Sequence, residues 1–268
     1  MLEFVLLVAG IIGFGLAGYF DLKKTEFSGW IPTGLISVSV VLFGAIGIQD
    51  GNFNLLFNSA IYGVGFLALG YVLYFLKQWG DGDTWLLGAL GFISPLAILL
   101  TQKISNFFFL SVLLDFLIVS LVYTVLYSFV IGFGNNKVRK KFFAQIKIQY
   151  KLKIACVILF SAVCSLFYLF TIGYEFTGYI LYLPLAFVGL VVLSDYSKVI
   201  EKFVFKKKVL TKNLRPGDVI LNGRWTGVTK QEIKRIKTKY VWIKEGIRFA
   251  PVFLIAFLLS VLTGGIII

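Results

Sequence analysis

Two aspartates stand out because each lies at the edge of a long apolar segment. Asp21 closes the first such segment, and Asp83 opens another directly after residues 80–82, Gly-Asp-Gly. Two carboxyl groups brought close together at such an edge cannot both ionise easily, so one keeps a proton while the other stays charged. A pair of this kind can deprotonate a water molecule and protonate a departing amide nitrogen. These residues therefore fit the chemistry of an aspartic peptidase.

The side chains that most other hydrolytic mechanisms use are absent from the sequence. It contains no histidine and two cysteines, Cys156 and Cys164, both inside one apolar segment. An imidazole base and a four-cysteine zinc site are therefore excluded. Asp81-Gly82-Asp83 resembles the start of a calcium loop, but no glutamate follows at the required spacing. We expect neither a metal nor a cofactor.

The glycines beside Asp83 allow two interpretations. Gly80 and Gly82 lack a Cβ atom, so a peptide substrate could approach the backbone closely there. The same residues also fit a tight turn before a helix, with Asp83 as the N-cap. The local pattern alone favours the turn.

The composition indicates an integral membrane protein. Of the 268 residues, 59% are hydrophobic and 15% are charged, whereas a soluble domain carries about 25% charged residues. A membrane-spanning helix needs about 20 apolar residues. We therefore predict an all-α polytopic membrane protein with about eight transmembrane helices, at residues 3–20, 31–48, 55–76, 84–100, 107–131, 154–172, 179–194 and 249–268.

The distribution of basic residues predicts how these helices are oriented. Of the 26 lysines and arginines, all except Lys103 lie in alternate loops. The positive-inside rule places both termini outside and these loops in the cytoplasm, namely residues 21–30, 77–83, 132–153 and 195–248. Asp21 and Asp83 then lie at the cytoplasmic face of the cell membrane. The net charge of +13 is thereby explained by topology, and we expect no nucleic-acid partner.

Three regions follow from this topology. Residues 1–194 form a membrane domain with about seven spans and the aspartate pair, residues 195–248 a small basic cytoplasmic α+β segment, and residues 249–268 the C-terminal transmembrane helix. Directly before the sixth span, residues 137–153 suit a basic amphipathic helix on an anionic lipid surface.

The basic segment shows two local signals of structure. Residues 219–221 predict a short strand, and a capping box at Thr229 and Glu232 predicts a short helix through about Lys237. Its acidic residues are interpreted as ordinary solvated charges among lysines and arginines. They are Asp195, Glu201, Asp218, Glu232 and Glu245.

Asp115 lies inside the fifth predicted span, where a carboxyl group is costly and often functional. We interpret it as a protonated group that hydrogen bonds between helices. In an alternative interpretation the chain is a transporter, and Asp115 lines an ion path with Asp21 and Asp83. In a third, the chain is a non-catalytic scaffold of a pilus or secretion machine.

Residues 80–83, Gly-Asp-Gly-Asp, match the Gly-x-Gly-Asp motif of a group of membrane aspartyl proteases. Their setting resembles the type IV prepilin peptidases, particularly the archaeal preflagellin (prearchaellin) peptidases. In that family the first aspartate follows the first span, with an Ile-Pro-like pair downstream, as Asp21 does here with residues 31–32. Residues 244–251, which enter the last span, are also similar to the C-terminal region of archaeal members.

The resemblance implies a membrane-embedded aspartyl endopeptidase with Asp21 and Asp83 as the catalytic pair. Its substrates would be archaellin or pilin preproteins, with a short basic leader, a cleavage site after Gly or Ala, and an apolar segment that stays in the membrane. We expect Glu26 and Asp81 to attract the basic leader. Because the chain lacks the four-cysteine loop of many bacterial members, no methyltransferase activity is expected.

The protonation states of the pair follow from the helix dipoles. Asp83 would lie at the positive end of its own helix, and Asp21 at the negative end of the first helix. These dipoles favour Asp83 as the ionised partner and Asp21 as the proton holder.

Overall fold

The computed structural model describes residues 1–24, 27–76, 79–102, 108–148, 150–171, 182–214, 217–221 and 227–265. They form two compact units, Met1–Val125 together with Ile247–Ile268, and Leu126–Gly246. The α-helices are α1 (Leu2–Lys24), α2 (Trp30–Asp50), α3 (Asn54–Phe75), α4 (Asp81–Ile93), α5 (Pro95–Thr101), α6 (Phe108–Phe133), α7 (Asn136–Lys147), α8 (Tyr150–Thr171), α9 (Tyr182–Ile200), α10 (Lys230–Arg235) and α11 (Pro251–Thr263). The strands are β1 (Lys206–Leu210), β2 (Val219–Ile220) and β3 (Tyr240–Lys244).

Within the described residues, five helical segments are long and apolar enough to cross a membrane. They are α1, α2, α3, α4 together with α5, and α6. The prediction of an all-α membrane protein with several spans is confirmed, whereas the number of eight spans stays a prediction. The predicted spans 154–172 and 179–194 extend into residues outside the described ranges.

The last apolar helix is shorter than the predicted span 249–268. α11 has 13 residues and ends at Thr263. Gly264 and Gly265 adopt φ angles of 78° and 98°, in the left-handed region that glycine enters at little cost. The helix therefore stops before the apolar sequence does.

The predicted span 84–100 is divided between α4 and α5. Pro95 has no N–H to donate to the carbonyl group of Gly91, four residues earlier, so the regular helix is interrupted. The hydroxyl group of Ser94 donates to that carbonyl oxygen at 2.8 Å, and the Ser94 N–H donates to it at 3.3 Å. The freed carbonyl group is thus satisfied at the break.

Glycines bring α3 and α4 into close contact. A Cβ atom on Gly91 would lie 2.5 Å from the carbonyl oxygen of Tyr62, and one on Gly63 would lie 2.2 Å from the Phe92 ring. The buried hydroxyl group of Ser59 donates to the carbonyl oxygen of Phe92 at 2.6 Å. This packing fixes the position of α4, the helix that carries Asp83.

We predict that Gly91→Ala destabilises the protein by about 1–3 kcal/mol, the usual cost of overpacking a core. The added methyl group would meet the backbone of Tyr62, which cannot move aside as a flexible side chain can. Thermal unfolding in detergent measures the effect. Gly34→Ala is the matched control, because a Cβ atom there meets nothing within 4 Å. Equal melting temperatures for the two variants would contradict the prediction.

The second unit contains a three-stranded antiparallel sheet with the strand order β1-β3-β2. The predicted strand at 219–221 is confirmed as β2, whereas β1 and β3 were not predicted. The predicted capping box is confirmed: the Thr229 N–H donates to the Glu232 carboxylate at 2.9 Å, and the Glu232 N–H donates to the Thr229 hydroxyl group at 3.2 Å. The helix that it opens, α10, ends at Arg235, two residues before the predicted end.

The predicted amphipathic helix is confirmed over α7, but it ends at Lys147. The Asn135 side chain caps its start by accepting the Lys137 N–H at 3.0 Å. Lys151 and Lys153 belong to the next helix, α8.

The interpretation of Asp195 as a solvated charge is wrong. Asp195 is 3% exposed and lies within α9, because this helix continues through Ile200 into the predicted cytoplasmic segment. Its carboxylate forms an ion pair with Lys153 of α8 and lies 4.0 Å from the ammonium group of Lys198. A buried carboxylate with such partners holds helices together.

Candidate active site

Asp83 lies in the first turn of α4, near the helix N-terminus. Gly80 is the N-cap, with an extended backbone conformation, and the carboxyl group of Asp83 lies against the Gly80 N–H. The predicted turn before a helix is therefore confirmed, but Asp83 is the third helical residue and not the N-cap. The hydroxyl group of Thr84 lies 3.2 Å from the carbonyl oxygens of both Gly80 and Gly70. It ties this turn to α3.

Asp21 lies in the last turn of α1 and is 8% exposed. Its carboxylate accepts the backbone N–H of Ala250 at 2.9 Å, at the start of α11. The two helices approach closely, since a Cβ atom on Gly18 would lie 3.2 Å from the Cα atom of Pro251. Asp21 thus faces the positive end of a second helix, α11, besides the negative end of its own.

Arg248 lies beside Asp21, just before α11. Its guanidinium group donates a hydrogen bond to the carbonyl oxygen of Leu22 and attracts the Asp21 carboxylate electrostatically. The carbonyl oxygen of Arg248 accepts the hydroxyl group of Tyr123 at 2.7 Å. Residues from α1, α6 and the entry to α11 therefore hold the Asp21 carboxylate in place.

The structure brings Asp21 and Asp83 near enough to interact electrostatically. Both belong to the first unit, and Asp83 is partly buried. Asp81 is exposed beside them, whereas Glu26 lies outside the described residues. A Cβ atom on Gly82 would lie 2.8 Å from the Phe27 ring, so this glycine also makes room for an aromatic side chain.

An aromatic cluster connects the N-terminus of α4 with α6 and with the start of α11. Trp79, directly before Gly80, lies 5.7 Å from Phe116 and 5.5 Å from Phe249, measured between ring centroids. Phe116 stacks at 5.2 Å on Phe253. Such contacts between rings add to the stability gained by burying them. The cluster thereby holds the N-terminus of α4 near the N-terminus of α11.

Asp115 forms a hydrogen bond between helices, as inferred from the sequence, whereas its protonation stays a prediction. It is fully buried, and its carboxyl group accepts the hydroxyl group of Ser260 at 2.8 Å. This hydrogen bond joins α6 to α11, the helix whose N-terminus holds Asp21. Among the described residues, no cluster of histidine, cysteine, aspartate and glutamate side chains could hold a metal ion.

Several residues at this site were missed from the sequence. Arg248, Ala250, Tyr123 and Trp79 all reach the aspartates or their supports through contacts between distant parts of the chain. For Arg248 and Ala250 the only signal was the resemblance of residues 244–251 to archaeal family members, which carried no assignment to single residues. Tyr123 and Trp79 had no such signal.

Comparison with known proteins gives a distant relative. No protein-family model matches the sequence, and no solved structure matches it. Over 188 residues, or 66% of the chain, it is 23% identical to prepilin peptidase EppA of Methanothermobacter thermautotrophicus. The chain spans 49% of the length of this curated relative. The similarity supports the resemblance to the prepilin and preflagellin peptidase family.

Proposed function

We propose that this chain is a membrane-embedded aspartyl endopeptidase that cleaves the leader peptides of pilin-like preproteins, archaellins or pilins, at the cytoplasmic face of the membrane. The observation that carries the proposal is the approach of Asp21 and Asp83, two acidic residues from distant helices, at the N-termini of α4 and α11. The similarity to a prepilin peptidase supports the same reaction. The reaction needs no metal and no cofactor.

In the proposed mechanism Asp21 is the ionised partner and Asp83 holds the proton. The dipoles of α1 and α4 alone favour the opposite assignment. The structure adds two contacts to Asp21, from the Ala250 N–H and the Arg248 guanidinium group, and both favour a charged Asp21. The repulsion between the two carboxyl groups then keeps Asp83 protonated.

The proton transfers follow from this assignment. Asp21 takes a proton from the attacking water while Asp83 donates its proton to the scissile carbonyl oxygen, which gives a tetrahedral intermediate. When the carbon–nitrogen bond breaks, Asp21 passes its proton to the amide nitrogen, and Asp83 recovers its own from a hydroxyl group of the intermediate. Both aspartates end in their starting states.

The transporter interpretation has less support. It requires Asp115 to share a path with Asp21 and Asp83, yet Asp115 is fully buried and hydrogen bonded to Ser260. A structural role explains this aspartate without an ion path.

The proposed function is tested by a cleavage assay with the purified chain in liposomes and a pilin-type precursor. We expect a cut directly after the leader Gly, identified by mass spectrometry of the product, and the same rate with EDTA. Failure to cut several such precursors, or a loss of cleavage in EDTA, would contradict the proposal.

We predict that Asp81→Asn combined with Glu26→Gln weakens cleavage of a basic leader. The value of kcat/KM should fall about two- to thirtyfold, because the variant removes two acidic partners and each exposed ion pair contributes about 0.2–1 kcal/mol. A leader whose lysines and arginines are replaced by glutamine should be cut equally well by the wild-type protein and by the double variant. Equal losses on both leaders would show that these carboxylates do not attract the leader.

A further inference from the structure

The small sheet of the second unit has one buried and one exposed face. Along β3 the side chains alternate, so Val241 and Ile243 are buried while Tyr240 and Trp242 are 48% and 51% exposed. Side chains from the segments that follow β1 and β2 cover the buried face, among them Leu214, Ile233 and Ile236. The exposed face therefore presents two large aromatic side chains, and this arrangement needs an explanation in a stable protein.

Lysines surround these aromatic side chains. The strand register places Lys208 opposite Trp242 and Leu210 opposite Tyr240, so all four share the exposed face. The ammonium group of Lys208 lies 4.9 Å from the centre of the Tyr240 ring, and that of Lys239 lies 5.8 Å from it. We call this surface, formed by Lys208, Leu210, Lys239, Tyr240 and Trp242, the aromatic–lysine face.

Within the described part of the chain, a carboxylate neutralises two neighbouring lysines, whereas the lysines of the aromatic–lysine face have no acidic partner. Glu201 lies 3.4 Å from the ammonium groups of both Lys206 and Lys244. Lys244 and Lys206 hold the pKa of Glu201 below its ordinary value, so Glu201 stays charged and occupies these two lysines. Lys208 and Lys239 stack on an aromatic ring, which leaves their charges available to an external anion.

The chain enters and leaves the sheet next to apolar helices. Residues 201–205 join α9 to β1, and residues 245–250 join β3 to α11. In a protein with several membrane-spanning helices, short connections of this kind keep a surface close to the bilayer. Tryptophan and tyrosine are enriched at the boundary between lipid and water, where the ring is buried and the polar atom stays hydrated. Lysines there attract anionic lipid headgroups.

We propose that the aromatic–lysine face docks on the surface of an anionic lipid bilayer. Trp242 and Tyr240 would insert among the headgroups, while Lys208 and Lys239 would contact lipid phosphates. The charge of the face and its exposed aromatic rings favour this occupant over a protein partner. The interaction is independent of peptide cleavage and would act as a second attachment to the membrane.

The experiment uses the full chain, with Cys156 and Cys164 replaced by serine, in lipid nanodiscs. A fluorophore is attached at Leu210→Cys, on the aromatic–lysine face, or at Lys234→Cys. Lys234 is the matched control, because it is an exposed residue of α10, which packs against the opposite face of the sheet. Lipids with a nitroxide on the headgroup quench fluorophores that reach the bilayer surface.

We expect the label at 210 to be quenched more strongly in discs with anionic lipid than in purely zwitterionic discs, and the label at 234 to change little. Lys208→Gln or Lys239→Gln should each lower the ratio of docked to undocked sheet about fivefold, since a lysine near an anionic surface contributes about 1 kcal/mol. High salt should release the face in the same way. Unchanged melting temperatures would show that the variants stay folded.

Three results would overturn the proposal. They are no quenching at 210 in anionic discs, equal quenching at 210 and 234, or quenching that neither salt nor the lysine variants reduce. In the first of these cases, a label at 210 that is shielded from aqueous iodide would indicate a protein as the occupant.

Discussion

Asp21→Asn and Asp83→Asn are each expected to lower the rate of leader cleavage at least about a thousandfold, in line with the contribution of positioned acids and bases. Without a carboxylate at 21, no group takes the proton of the attacking water. Without a carboxylic acid at 83, no group protonates the scissile carbonyl oxygen. Because the two act as a unit, the double variant should be little worse than either single variant.

The fold should survive these substitutions. The amide oxygen of an asparagine at position 21 can still accept the Ala250 N–H, and one at position 83 can still accept the Gly80 N–H. Rates are measured on the same precursor in liposomes, with thermal unfolding as the check on folding. Asp50→Asn is the control, because Asp50 is exposed at the end of α2. This variant should cleave the precursor at the normal rate. A folded Asp83→Asn variant that keeps a tenth of the activity would exclude the two-aspartate mechanism.

The elements that carry the two aspartates could be predicted from the sequence because their signals are local. A long apolar run that ends at Asp21 predicts a helix end, and Gly80 before Asp83 predicts a helix start. Both predictions hold in the structure. The break between α4 and α5 also had a local signal, the proline at position 95. The span 84–100 was predicted by counting apolar residues, and such a count does not detect the N–H that a proline lacks.

Contacts between distant residues could not be predicted in the same way. Ala250 reaches Asp21 across 229 positions of the chain, and no spacing rule relates the two. Because of this contact, the mechanism that we propose assigns the proton to Asp83, whereas the dipoles of α1 and α4 alone predict a protonated Asp21. Asp195 was misread for a similar reason, since its partner Lys153 lies 42 positions away.

The small sheet was hidden by its composition. β1 consists of Lys-Lys-Lys-Val-Leu. Because this run is basic, the sequence indicates only that the segment lies in the cytoplasm. Its pairing with β3, 34 positions away at the Lys208–Trp242 pair, supplies the hydrogen bonds that make it a strand. Strand formation depends on such partners more than on the residues themselves.

Arg248→Gln is expected to lower kcat for leader cleavage about ten- to hundredfold and to leave KM nearly unchanged. A hydrogen bond from a charged group contributes about 1.5–3 kcal/mol, and the Arg248 guanidinium group both bonds the Leu22 carbonyl oxygen and attracts the Asp21 carboxylate. Its loss would raise the free energy of the charged Asp21 that accepts the proton of water. Substrate contacts would be unaffected, because Arg248 acts through Asp21.

Arg248→Lys and Tyr123→Phe separate this role from a general loss of stability. The lysine keeps the positive charge, so it should restore part of the lost kcat. Tyr123→Phe removes the hydrogen bond to the Arg248 carbonyl oxygen but leaves the charge at 248 in place, so its effect should be smaller. Steady-state kinetics of the three variants on one precursor, with melting temperatures measured in parallel, test this order.

If glutamine and lysine at 248 reduce kcat equally, or if KM rises while kcat stays normal, Arg248 does not act through the charge of Asp21. An intermediate rate for lysine would instead show that the positive charge at the start of α11 keeps Asp21 ionised and ready to activate water.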